Sequence, residues 1–155
     1  MKIYVSSLRQ STLDLWSRLL PASKMIEFAN RGSRSLGADV LVMSGVWAFD
    51  RYGGSPGREV AQVLPNSRDD GMPEWIVVPP FRPVVESDGR VSIRDDFKQV
   101  SLAYYAVLQS LRVVRAEFGD SVTVALDLPL LGMDDPGDES TPVSVARAIE
   151  AFVGE

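Results

Sequence analysis

The sequence predicts a three-layer α/β/α sandwich around a mixed, mainly parallel central sheet. Three observations predict it. Strand-like and helix-like segments alternate along the chain, the order expected of crossover-connected strands. Asp39 to Gly45 (DVLVMSG) is a short apolar run closed by a break, which suits a strand buried on both faces. Ser92 to Phe118 carries one apolar stripe at helical spacing, made by Phe97, Val100, Tyr104, Val107, Leu111, Val114 and Phe118. At 155 residues the chain fits one domain, 1–155. A domain of that size buries roughly 70% of its unfolded surface and needs no staples to fold.

The elements follow in order. Lys2 to Ser7 alternates through Ile3, Tyr4 and Val5 and reads as the first strand. Ser11 to Leu20 places Leu13, Leu15, Trp16, Leu19 and Leu20 in a helical pattern, with Ser11 or Thr12 as cap and Pro21 as stop. Ala22 to Asn30 reads as a second short helical stretch, and Arg31 to Gly37 as a polar loop. After the Asp39 strand, Val46 to Gly57 reads as a loop rich in aromatics and glycine. Glu59 to Leu64 suits a strand or a helical turn, and Glu74 to Val78 a strand stopped by Pro79 and Pro80. Arg82 to Val91 reads as a surface loop or hairpin. The long helix has Ser92 or Asp95 as cap and Gly119 past its end. Ser121 to Leu126 is a strand, and Leu130 to Thr141 an acidic Gly/Pro loop. Thr141 and Pro142 open a last helix that faces Val145, Ala148 or Ile149, and Phe152 inward.

Composition narrows the chemistry. The chain has neither His nor Cys. That removes disulfides, thiol nucleophiles, Cys/His zinc sites and imidazole bases. A net charge of −5 argues against nonspecific binding to nucleic acid or anionic membranes. No apolar run approaches the ~18 residues of a membrane span. The start, MKIYVSSLRQ, lacks a signal-peptide layout, so a cytoplasmic location is expected. No cofactor fingerprint is matched: there is no GK[ST] and no G-x-G-x-x-G.

In open α/β sheets, ligands bind beyond the carboxyl ends of strands. Three such ends are named: Gly45 to Gly57, Pro79 to Pro83, and Asp127 to Asp138. In the first, Gly45, Gly53 and Gly54 allow close backbone approach. Trp47, Phe49 and Tyr52 offer stacking faces, and Arg51 and Arg58 offer charge. In the third, Gly132 and Met133 lead into Asp134, Asp135, Asp138 and Glu139. This acidic group reads either as an N-cap cluster or as oxygen ligands for Mg²⁺ or Ca²⁺; its spacing matches no known motif, so no metal is expected. Glu59 and Asp127 are the candidate catalytic carboxylates, and Asp39 reads as structural.

From Asp39 to Glu155 the chain resembles a macrodomain, the α/β fold that binds ADP-ribose and related nucleotides. ADVLVMSG is similar to the strand that enters the family's first ligand loop. GGSPGREVAQVL and EWIVVPPF are similar to its next segments, and VTVALDLPLLGMDD to its strand and diphosphate loop. Two motifs depart from the pattern. Met43-Ser44-Gly45-Val46 replaces an asparagine-bearing turn, and Gly132-Met133-Asp134-Asp135 replaces a G-[VIA]-[YF]-G loop. The resemblance implies a small-molecule nucleotide or ADP-ribose derivative as partner. It sits between the two loops, on Gly45, Trp47, Phe49, Tyr52, Gly53, Gly54, Arg58, Gly132, Met133 and Asp134. Two alternatives stand beside it. MKIYVSSL and SPGREV are also similar to nucleoside deoxyribosyltransferases, which implies Glu59 as nucleophile. The third is a protein-interaction module with a degenerate pocket.

Overall fold

The computed structural model describes residues 1–80, 87–92 and 99–155. Its elements are β1 (Lys2–Ser6), α1 (Gln10–Leu19), β2 (Ile26–Ala29), β3 (Val40–Val42), α2 (Gly45–Tyr52), β4 (Gln62–Pro65) and β5 (Trp75–Val78). They continue with β6 (Arg90–Ser92), β7 (Gln99–Ser101), α3 (Leu102–Phe118), β8 (Thr123–Asp127), α4 (Leu128–Leu131) and α5 (Ser140–Val153). A single 3₁₀ turn spans Ser33–Ser35.

Six strands form one sheet in the order β2-β1-β8-β3-β5-β4. All neighbours are parallel except β4, which runs antiparallel to β5 at one edge. The fold is therefore α/β with a mixed, mainly parallel sheet. β6 and β7 form a separate two-stranded ribbon.

Side chains alternate across the sheet and create two cores. Ile3, Val5, Val40, Val42, Val77, Val124 and Leu126 face α1, α3 and α5. Leu41, Met43, Leu64, Ile76, Val78 and Ala125 face α2 and the 3₁₀ turn. Because β3, β5 and β8 are covered on both sides, they are apolar at 40–42, 76–78 and 124–126. The first core is closed by Trp16 and Phe152, both fully buried. The Arg115 guanidinium lies 3.7 Å from the Phe152 ring centre.

Several elements differ from the sequence-based expectation. Ala22 to Asn30 holds strand β2, not a helix. Met25, Ile26 and Phe28 mimic helical spacing, but the segment's backbone pairs with β1 from Ile3↔Ile26 to Ser6↔Ala29. Val46 to Gly57 begins with a helix rather than a loop. Gly45, Ala48, Phe49 and Tyr52 repeat at helical spacing and pack on the second core. A Cβ at Gly45 would collide with the Phe49 ring, which is why this helix starts on glycine. The long helix starts at Leu102, because Ser101 caps it by accepting from the Tyr104 N–H at 3.2 Å. Val100 thus belongs to β7, while Phe97 and Asp95 lie outside the described residues, as does part of Arg82 to Val91. Helix α1 begins at Gln10 without a side-chain cap, so neither Ser11 nor Thr12 serves. Leu130 to Thr141 opens inside a helical turn, α4. Helix α5 starts one residue before Thr141, with Asp138 accepting from the Ser140 and Thr141 N–H groups.

Asp39 is structural, as its position implies. Its Oδ2 accepts from the Thr123 N–H at 2.8 Å and the Thr123 hydroxyl at 3.0 Å, fixing where β3 and β8 begin. Phe152→Ala should cost about 3–5 kcal/mol, the usual range for emptying a large aromatic site. Equilibrium denaturation measures it; a loss below about 1 kcal/mol would mean that α5 does not close the first core.

Candidate functional site

The strand registers bring four carboxyl ends to one level. Ala29 pairs with Ser6, and Ser6 with Asp127. Val42 pairs with Leu126, so Met43 stands level with Asp127. Above this row lies a cavity of about 390 Å³. Ser6, Ser7, Met43 and Asp127 line its base. One wall is the turn Arg31-Gly32-Ser33-Arg34 that follows β2. The opposite wall is α2, which presents Trp47 and Arg51 one helical turn apart. Pro129 and Leu130 of α4, Leu8 and Met72 complete the lining.

Asp127 is the polar centre of the base. Its Oδ2 accepts from the Ser33 hydroxyl at 2.6 Å, and its Oδ1 from the Leu130 N–H at 3.1 Å. The carboxylate therefore caps α4 and ties the 3₁₀ turn to β8 with one side chain. A carboxylate has about four lone-pair sites, so both oxygens keep acceptor capacity toward the cavity.

Helix α2 is braced from behind. The Tyr52 hydroxyl donates to Asp70 at 2.7 Å, and Arg68 Nε donates to the Arg51 carbonyl at 2.7 Å. Asp70 also accepts from Asn66 Nδ2 at 2.9 Å and from the Met72 N–H at 3.0 Å. Burial opposes its charge, but the bonds from Asn66, Tyr52 and Met72 outweigh that and hold its carboxyl at about 2. Tyr52 is shifted upward by burial and by its bond to Asp70, with Arg51 pulling the other way.

Of the residues singled out in the sequence, Trp47, Arg51 and Asp127 meet at the cavity. Gly45 and Phe49 pack against each other inside α2's core face. Gly53 and Gly54 follow the helix end, where φ values of 84° and 102° favour glycine. The amides of Gly53, Gly132 and Met133 donate to the carbonyls of Phe49, Pro129 and Leu128. They are committed within the chain and do not line the cavity. Arg58 and Glu59 are exposed in the connection from α2 to β4, outside the lining. Asp134 Oδ1 accepts from the Ser7 hydroxyl at 2.7 Å, just outside the lining. No group of acidic side chains suited to a metal ion occurs among the described residues.

Sequence reasoning missed Ser6, Ser7 and the Arg31–Arg34 turn. The signal was there: RGSRS directly follows IEFA, and a strand end carrying arginines is a ligand position in this fold class. Reading β2 as helix hid that end. No family model matches the chain, and no curated protein matches it either. No helix among the described residues is long and apolar enough to cross a membrane.

Asp70 makes α2's anchorage pH-dependent. Its folded value lies below the ordinary 3.8, so its contribution is present above 3.8 and is lost as pH falls toward about 2. Wild type should therefore be more stable than Asp70→Asn at pH 5, with the gap closing between 3.8 and about 2. Chemical denaturation of both proteins across that range measures it; a constant gap would remove Asp70 as the titrating group.

Proposed function

We propose that the protein binds a nucleotide or ADP-ribose-like ligand in this cavity, on a macrodomain-like scaffold. One observation carries the reading. The two segments that resemble macrodomain ligand loops both contribute to the same cavity, Trp47 and Arg51 from one and Asp127, Pro129 and Leu130 from the other. The supporting chemistry is simple. Trp47 is 53% exposed at the rim and presents a flat apolar face for a base or ring. Arg51 adds a planar cation on the same helix face. Asp127 offers acceptors for hydroxyl or amino groups. A volume near 390 Å³ falls within the range of small-molecule sites.

A protein-contact role rests on a different observation. Leu8 and Val46 are 73% and 70% exposed, close to Trp47 in sequence or at the same cavity. The two readings separate on small-molecule binding alone. In thermal unfolding with ADP-ribose, NAD and AMP, at least one should stabilise wild type. At 100 times Kd the gain is ~2.7 kcal/mol. Trp47→Ala should lose most of that gain while keeping the unliganded melting temperature. A flat response to all three compounds would sink the ligand reading and leave the protein-contact role.

A further inference from the structure

We infer that the cavity has a fixed polarity: Arg34 and Arg51 clamp a phosphate or diphosphate group between opposite walls, while Asp127 receives the hydroxyl-bearing end of the same ligand. This rests on the ligand-binding reading above and adds the site of the anion and the ligand's direction. Arg34 comes from the turn after β2, outside the region that carries the macrodomain resemblance.

Both arginines touch the same segment, residues 66–72, whose Met72 lines the cavity. Arg34 Cγ and Cδ lie 3.7 Å from where a Cβ on Gly71 would stand, so its stem runs along that turn. Arg51 is held there through its own carbonyl, which accepts from Arg68, and through Tyr52 and Asp70 beside it. Neither Arg34 nor Arg51 forms an ion pair among the described residues. Of the two acids on that turn, Asp70 already accepts from three donors, and the exposed Asp69 forms no ion pair with either arginine among the described residues. Two guanidinium groups on facing walls match the paired oxygens of a phosphate.

Asp127 sets the direction. It sits on the central strand at the cavity base, and its negative charge repels a phosphate placed there. Its remaining lone pairs accept from a ribose-type hydroxyl instead. The Ser33 hydroxyl, fixed as a donor to Asp127, leaves its own oxygen as a further acceptor. The backbone amides of Gly53, Gly132 and Met133 are spent within the chain and lie outside the cavity lining, so they offer the anion nothing.

The test titrates inorganic pyrophosphate, ADP-ribose, adenosine and succinate by calorimetry into wild type, Arg34→Gln, Arg51→Gln and Arg147→Gln. Arg147 is an exposed residue of α5 away from the cavity and serves as control. Arg34 and Arg51 are exposed, so their variants should melt as wild type does without ligand. Pyrophosphate and ADP-ribose should each bind about tenfold or more weakly to Arg34→Gln and to Arg51→Gln. Adenosine should bind all four proteins alike, and Asp127→Asn should weaken adenosine but not pyrophosphate. ADP-ribose binding that is equal in wild type and both arginine variants overturns the clamp and leaves the proposed function standing. Pyrophosphate binding with arginine dependence, but no nucleotide binding, supports the clamp and overturns the proposed function. Succinate binding as tightly as pyrophosphate overturns the phosphate assignment.

Discussion

The insertion of β8 between β1 and β3 is the constraint on which the site depends. β1 and β3 do not pair with each other; each pairs with β8 along its length. Val124, Ala125 and Leu126 are almost completely buried, so their backbone groups have no water to turn to and must pair with both neighbours. That pairing sets the level at which Ser6, Asp127 and Met43 end. It also joins residues from nearly opposite ends of the chain, since Lys2 pairs with Thr123. Non-local parallel pairing is slow to form, and the cavity base exists only after it has formed.

Local charge at the site runs against the charge of the whole molecule. The net charge is −5, yet Arg31, Arg34 and Arg51 line the cavity. The acidic segment after α4 stands close in sequence to this site, and from sequence it opposes phosphate. In the fold its charges are engaged by donors within the chain. Asp134 faces the Ser7 hydroxyl and, at 4.0 Å, Arg9. Asp135 accepts from the Gly137 N–H at 2.8 Å. Asp138 accepts from the Ser140 and Thr141 hydroxyls and amides, and those bonds hold its carboxyl below the ordinary range. Exposed charges are also screened within about 8 Å at physiological salt. Side chains inside the cavity therefore set its potential more than the sum over the chain does.

Legibility in the sequence followed burial. Strands β3, β5 and β8 are covered on both faces and were readable as apolar runs. The inward residues of α3 and α5 were readable from their spacing, with Val107, Leu111, Val114, Val145, Ile149 and Phe152 all buried. Edge strand β2 was not readable, because Glu27 is exposed while Ile26 and Phe28 are only half-buried. Its residues carry a weak pattern that the neighbouring β1 resolves by hydrogen bonding. Helix α2 was obscured by glycines at both ends, although Gly45 serves close packing and Gly53 ends the helix at positive φ. Within the site, Trp47 and Asp127 stood out by type and position. Ser33 and Arg34 did not, because nothing local says that a serine in a polar turn will reach a carboxylate on β8.

The cavity walls are tied to the sheet and to one another, and this bears on how tightly such a site can bind. Ser33 anchors the 3₁₀ turn to Asp127, and Asp127 anchors α4. The Ser44 N–H donates to the Leu130 carbonyl at 3.0 Å, joining the start of α2 to α4. Tyr52 and Arg51 then join the end of α2 to the 66–72 segment. Each link is a modest hydrogen bond, worth about 0.5–1.5 kcal/mol net. Together they fix the backbone that carries Trp47 and Arg51 before any ligand arrives. Ordering a wall on binding would cost about 0.5–1.5 kcal/mol for each side chain immobilised. A site whose supports are already bonded avoids much of that cost.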